Sequence, residues 1–138
     1  MATVELRFSA LPEHVRTARL VAAAVARRSG VDETVLDEVR LAVGEACTRA
    51  VGLHQRKGVS APVRVLLIEE EKQFSIDVGD EAPRHANGAA DGEENGETED
   101  EMGLAVISGL VDDVKVTSDE NGGHIRMSWP TPPTELLP

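Results

Sequence analysis

The apolar residues of this chain switch between two spacings, and each switch marks a change of secondary structure. Val4, Leu6 and Phe8 alternate with Glu5, Arg7 and Ser9, the two-residue period of a strand with one buried face, so a strand is predicted over about residues 3–9. From Leu11 the spacing turns helical through Val15, Ala18, Ala22 and Val25. With Pro12 suited to a first turn and Gly30 beyond the last, a helix is predicted over about 12–28. A second helix is predicted from an N-cap at Asp32 to near Gly52, its stripe formed by Val35, Val39, Ala42, Val43, Ala46 and Ala50.

After the loop His54–Pro62 the period-two signal returns. The runs VRVLLIEEE and QFSIDVGD, joined by a charged turn, read as a hairpin. MGLAVISGLVDD resumes helical spacing through Leu104, Ile107, Leu110 and Val111, with Gly103 expected to open this third helix. VKVTS and HIRMSW flank the turn DENGG and predict a closing hairpin. Between the hairpin and the third helix, residues 83–101 offer little to bury and carry dense negative charge, so a mobile acidic loop is expected there. The proline-rich end, PTPPTELLP, is expected to be extended and exposed and to stay out of any sheet.

The order β-α-α-β-β-loop-α-β-β predicts an α+β fold, a two-layer α/β sandwich with one antiparallel or mixed sheet and its helices on a single face. Only Phe8, Phe74 and Trp129 are aromatic, so the core must come from Val, Leu, Ile and many Ala, which suits helices laid on a sheet. A chain of 138 residues has room for one such domain, expected over 1–130, with 131–138 as a tail.

Charge narrows the function. With 25 acidic and 14 basic side chains the net charge is −11, and a phosphate backbone would meet a repulsive field, so no nucleic-acid partner is expected. Much of the excess acid sits in DGEENGETEDE at 91–101, leaving the body mildly acidic. The single Cys47 excludes an internal disulfide, and His14, His54, His85 and His124 show no metal-ligand spacing. The N-terminus lacks a signal-peptide pattern and no apolar run could cross a bilayer, so the expectation is a cytoplasmic protein without a membrane partner.

Candidate chemistry gathers in three places. On a helical wheel of about 100° per residue, Glu45 and Arg49 flank the apolar stripe of the second helix one turn apart. Spacing alone allows a simple Glu–Arg pair on a helix edge or a functional pair. Asp80 and Glu81 follow the inward-facing Phe74, Ile76 and Val78 where a strand leaves the sheet, as a turn or as a site. Gly103, at its expected helix start, would offer backbone N–H groups to a phosphate.

Taken in order, LRFSALPEHVRTARL, EACTRAV, DVGDEAP, MGLAVISGLVDDVKV and GGHIRM resemble the anti-sigma factor serine kinases of the RsbW and SpoIIAB type, within the GHKL superfamily and its Bergerat, histidine-kinase-like ATPase fold. The resemblance runs from about Val4 to Met127. It implies a regulatory protein that binds a sigma factor, is released by an anti-anti-sigma antagonist of the STAS type, and binds ATP or ADP. The alternative it implies is an active ATP-dependent serine/threonine kinase that phosphorylates that antagonist. By the same resemblance Glu45 would be the general base, Asp80 the acceptor of the adenine amino group, and Ala82, Gly103 and Leu104 parts of the nucleotide-binding boxes. The segment 83–101 would be the ATP lid, and Arg19 on the first helix the partner-binding residue. Arg49 stands where the family places a magnesium-binding asparagine, which argues against magnesium and for direct contact with a phosphate oxygen. A homodimer is a further expectation of the family.

Overall fold

The computed structural model describes residues 2–83 and 94–132, with side chains from 102 onward in the second stretch. Strand β1 (Ala2–Phe8) leads through a 3₁₀ turn (Pro12–His14) into α1 (Val15–Ser29). A second 3₁₀ turn (Glu33–Val35) precedes α2 (Leu36–Lys57). The hairpin β2 (Val63–Glu70) and β3 (Gln73–Asp80), the helix α3 (Glu94–Leu110), and the hairpin β4 (Asp113–Asp119) and β5 (Gly122–Pro130) follow. The strands form one fully antiparallel sheet in the order β1-β2-β3-β5-β4.

Alternation decides which face of the sheet is covered. In register, Leu6 stands opposite Val65, Val65 opposite Val78, and Val78 opposite Ile125, so one face is apolar across four strands. Against it pack Ala18, Ala22 and Val25 of α1, Val39, Val43, Ala46 and Ala50 of α2, and Ile107 of α3, all in one core cluster. The alanine faces let α1 and α2 lie close to the sheet, while bulk is concentrated where Phe74 and Trp129 stack with centroids 6.4 Å apart. The result is the two-layer sandwich with helices on one face that the spacing predicts.

Three boundaries differ from the sequence expectation. Gly52 does not end α2; the helix continues to Lys57 and stops at Gly58, whose φ of 65° provides the left-handed cap. A mid-helix glycine costs only about 1 kcal/mol relative to alanine, and the extra turns bury Leu53 and His54. Nor does Gly103 open α3, which begins at Glu94 and holds Gly103 buried in its interior. The acids Glu94, Glu97, Glu99 and Asp100 fall in its first two turns, where the helix dipole favours carboxylates, so charge that reads as loop composition is compatible with a helix start. Of the expected acidic loop, residues 84–93 lie outside the described residues. Finally, the proline-rich end does join the sheet briefly: Pro130 stands opposite Gln73, and the Thr131 N–H donates to the Lys72 carbonyl at 2.9 Å. A terminal proline forfeits one donor without preventing the next residue from bonding.

Burial fixes the chemistry of the lone thiol. Cys47 of α2 is fully buried in the core, and desolvation pushes its pKa up to about 12. The thiolate, the reactive form, is then about one part in 10⁴ at pH 8. We expect iodoacetamide to leave the folded protein unlabelled at pH 8 and to label it fully in denaturant, as read by intact mass.

Candidate functional site

The exposed edge of α2 carries the candidate cluster. Glu45, Thr48, Arg49, Gly52, Gln55 and Arg56 line a cleft of about 240 Å³, bounded by Pro12 and Val15 on one side and by Gly103 of α3 on the other. Residues three and four apart share a helix face, and this face is the one left over once Ala46, Ala50 and Leu53 turn to the core. The Glu45 carboxylate points at α3, since a Cβ built on Gly103 would lie 3.7 Å from its Oε2. Gly103 is thus the bare patch of α3 that the carboxylate faces. Arg49 is half-buried, with its Nε atom shielded from solvent.

A second cluster lies at the end of β3. Asp80 continues the inward series Phe74, Ile76, Val78 and is 6% exposed, its Oδ1 accepting the Ala82 N–H at 3.0 Å. Ala82 is fully buried. Two residues not singled out from the sequence hold this corner. His54, at the end of α2 and inaccessible to solvent, donates from Nδ1 to the Ala61 carbonyl (2.9 Å), and its Nε2 accepts the Glu81 N–H (2.9 Å). The pairing of Nε2 with an N–H donor fixes the tautomer with its proton on Nδ1. Gly122, with φ of 140°, packs directly on the Asp80 carbonyl and the Glu81 Cα.

Of the residues proposed from the sequence, the structure brings Glu45, Arg49 and Gly103 together in one cleft. Asp80 and Ala82 stand apart from it, tied to the same helix through His54. Leu104 packs against the core. Arg19 is exposed on α1, its stem crossing Gly44: a Cβ there would come within 2.8 Å of Arg19 Cδ. It therefore sits beside the residue that precedes Glu45. Thr48 and Arg56 join the cleft without having been singled out, although both fall one helical turn from Gly52 or nearer.

The donor set discriminates between ligands. Two guanidinium-bearing residues and a threonine beside one carboxylate suit an anionic ligand. Among the described residues no group of three His, Cys, Asp or Glu side chains converges, and Glu45 is the one carboxylate among the residues lining this cleft.

A five-stranded antiparallel sheet backed by helices on one face, with a cleft on the helical side between a glutamate and the glycine of the next helix, defines a class of two-layer α/β sandwiches. Within that class, the model of the histidine kinase-like ATPase domain matches residues 8–129, and the chain belongs to this family. The serine-protein kinase RsbW of Oceanobacillus iheyensis is 31% identical over 134 residues, covering 91% of this chain and 84% of that protein. The anti-sigma F factor of Clostridium acetobutylicum is 30% identical over 132 residues, 87% of each chain. Among solved structures, the RsbU and RsbW domains of Rv1364c from Mycobacterium tuberculosis match with a TM-score of 0.69 at 16% identity, over 96% of this chain. This chain spans 33% of that longer one, and the likeness is one of fold. No helix among the described residues is long and apolar enough to cross a membrane.

Proposed function

We propose that this protein is an anti-sigma regulator: it sequesters a sigma factor and releases it when an anti-anti-sigma protein of the STAS type competes for the same surface. The observation that carries the reading is similarity to RsbW and anti-sigma F proteins over most of both chains; Arg19, the position that the resemblance assigns to partner binding, is exposed on α1. The surface around it has the make-up of a protein-binding centre. Leu20, the next residue, is 57% exposed, and Leu41, one turn before Gly44 on α2, is 58% exposed. Exposed leucines on both helices, with an arginine whose stem is held over a glycine between them in the fold, are the residue types of a protein-binding surface. Arg19→Ala is expected to weaken capture of a sigma factor and of the antagonist by roughly tenfold or more, about 1–2 kcal/mol, measured by calorimetry. An unchanged affinity for both would remove Arg19 from the interface. The working unit in this reading is a cytoplasmic homodimer of the domain 1–130, with 131–138 as an appended tail.

The same reading gives the α2 cleft a nucleotide, ATP or ADP. Arg49 and Arg56 would hold its phosphates, with Thr48 as a further donor, while Asp80 lies at the end of β3 where the family reads adenine. Arg49, at the position where the resemblance puts the magnesium-binding asparagine, disfavours a magnesium ion beside it. Nucleotide binding that persists in chelator supports this, and strict dependence on magnesium would contradict it.

One observation favours kinase activity as a second reading. Glu45 faces into the cleft and could take the proton of an incoming serine hydroxyl. The nucleotide, when bound, would supply the phosphoryl group. Incubation with the antagonist and labelled ATP should then yield phosphoserine, reduced by a factor of 10² or more in Glu45→Ala. Equal labelling by the variant would exclude Glu45 as the base.

A further inference from the structure

The face of the sheet turned away from the helices carries one aligned row of positions on four adjacent strands. Register sets Arg7 opposite Arg64, Arg64 opposite Gly79, and Gly79 opposite His124. Like charges directly opposite on a sheet are destabilising. This chain nevertheless pairs two of its 14 basic residues in that way and adds a histidine across a gap. Arg7 leans on Glu5 (Nε to Oε2, 2.9 Å), an exposed pair, whereas the half-buried Arg64 makes no ion pair among the described residues.

The gap at Gly79 has a geometric consequence. A Cβ there would come within 3.2 Å of the His124 ring and 3.7 Å of Arg64 Nη2, so a bare backbone is what lets guanidinium and imidazole converge from two sides. His124 uses Nδ1 toward Asp77 Oδ1 at 2.9 Å, which leaves Nε2 as the other polar atom of the ring. Arg7, Arg64, Gly79 and His124 line a depression of about 510 Å³. Three acids also border it. Asp80 accepts the Ala82 N–H and Asp119 the Asn121 N–H, and Glu81 lies beyond Asp80, while on the row itself Glu5 pairs with Arg7 and Asp77 with His124, which leaves Arg64 as the basic side chain of the depression without an acidic partner among the described residues.

We propose that this row is a binding site for a phosphate-class dianion, a phosphate monoester or free phosphate, seated over Gly79 between Arg7, Arg64 and His124. Two planar guanidinium forks match the several oxygens and double charge of a phosphoryl group better than a single carboxylate does. Bound there, the dianion would relieve the repulsion between the two arginines. The row lies on the opposite face of the sheet from the α2 cleft, and the depression meets the proposed adenine corner at Asp80.

The test uses the full chain labelled with ¹⁵N, titrated with inorganic phosphate, with O-phosphoserine and with a short phosphoserine peptide. Saturable shifts of the Gly79 and His124 amides are expected. Arg64→Ala should weaken binding at least about tenfold, Arg64→Lys less, and Arg7→Ala to a similar degree, with circular dichroism unchanged. Arg40→Ala, a cation on the helical face, should leave the shifts as they are. A peptide that binds much more tightly than inorganic phosphate identifies a phosphorylated protein segment as the source; equal affinities identify free phosphate, and both support the site. Shifts confined to Thr48 and Gly103, no shifts at tens of millimolar phosphate, or an unaltered response in Arg64→Ala would overturn it.

Discussion

Gly122→Ala is expected to lower folding stability by at least ~3 kcal/mol, although it adds one methyl group and removes nothing from the core. With φ of 140°, Gly122 occupies backbone territory that side-chain-bearing residues rarely enter, and its added Cβ would overlap the Asp80 carbonyl and lie 2.9 Å from the Glu81 Cα. Those neighbours are backbone, so no side chain can swing aside. Relief must come from separating β5 from the end of β3, where Asp80 stands opposite Gly123. The same movement would displace Asp80, so any ligand contact made by its carboxylate should weaken in parallel. A urea titration should show a lower midpoint with an unchanged slope. A variant within about 0.5 kcal/mol of the wild type would mean that the turn before β5 is free to rearrange.

His54→Ala should cost on the order of 3 kcal/mol. The imidazole is inaccessible to solvent and joins three segments: the last turn of α2, the approach to β2 at Ala61, and the corner after β3 at Glu81. Alanine would leave a cavity and strand a carbonyl acceptor and an N–H donor that native packing shields. His54→Gln should recover part of the loss, because an amide can still reach one of the two partners. Hydrogen exchange separates this role from mere filling of space. The Glu81 amide should lose protection in His54→Ala by more than the change in global stability accounts for. If its protection falls only in step with global unfolding, His54 is a packing residue and does not position the Asp80 corner.

The sheet was legible in the sequence because one of its faces is buried. Val65, Leu67, Ile76, Val78, Ile125 and Met127 sit at alternating positions that only one register can bury together. Helix ends were less legible, since a local rule was overridden by burial farther on. Gly52 looks like a stop until Leu53 and His54 are seen to be core residues. Ending the helix there also hid His54: continued along the same wheel it falls at the edge of the apolar stripe, a polar side chain on a buried face that requires partners. In α3 the acids of residues 94–101 carry a loop's composition and a helix's N-terminal charge at once, and composition alone does not separate the two.

The candidate site was legible in proportion to how local it is. Glu45 and Arg49 share a turn of one helix, and their spacing alone places them together on its edge. Their facing partner Gly103 comes from α3, and only the packing of α3 on α2 puts it 3.7 Å from the carboxylate once a Cβ is built. Asp80 was correctly read as the inward residue at a strand end, yet its link to α2 runs through a histidine 26 residues earlier. The row Arg7, Arg64, Gly79, His124 had no sequence signal, because it exists only in the register of four strands.

Partner switching is a competition of two proteins for one surface, and a displacement titration measures it. A complex of this protein with a sigma factor from the same genome is titrated with a STAS-domain anti-anti-sigma protein while free sigma factor is followed by fluorescence anisotropy. Saturable release of the sigma factor is expected, with both partners held more weakly by Arg19→Ala. Failure to bind any sigma factor of that genome, or a ternary complex from which none is released, would contradict it.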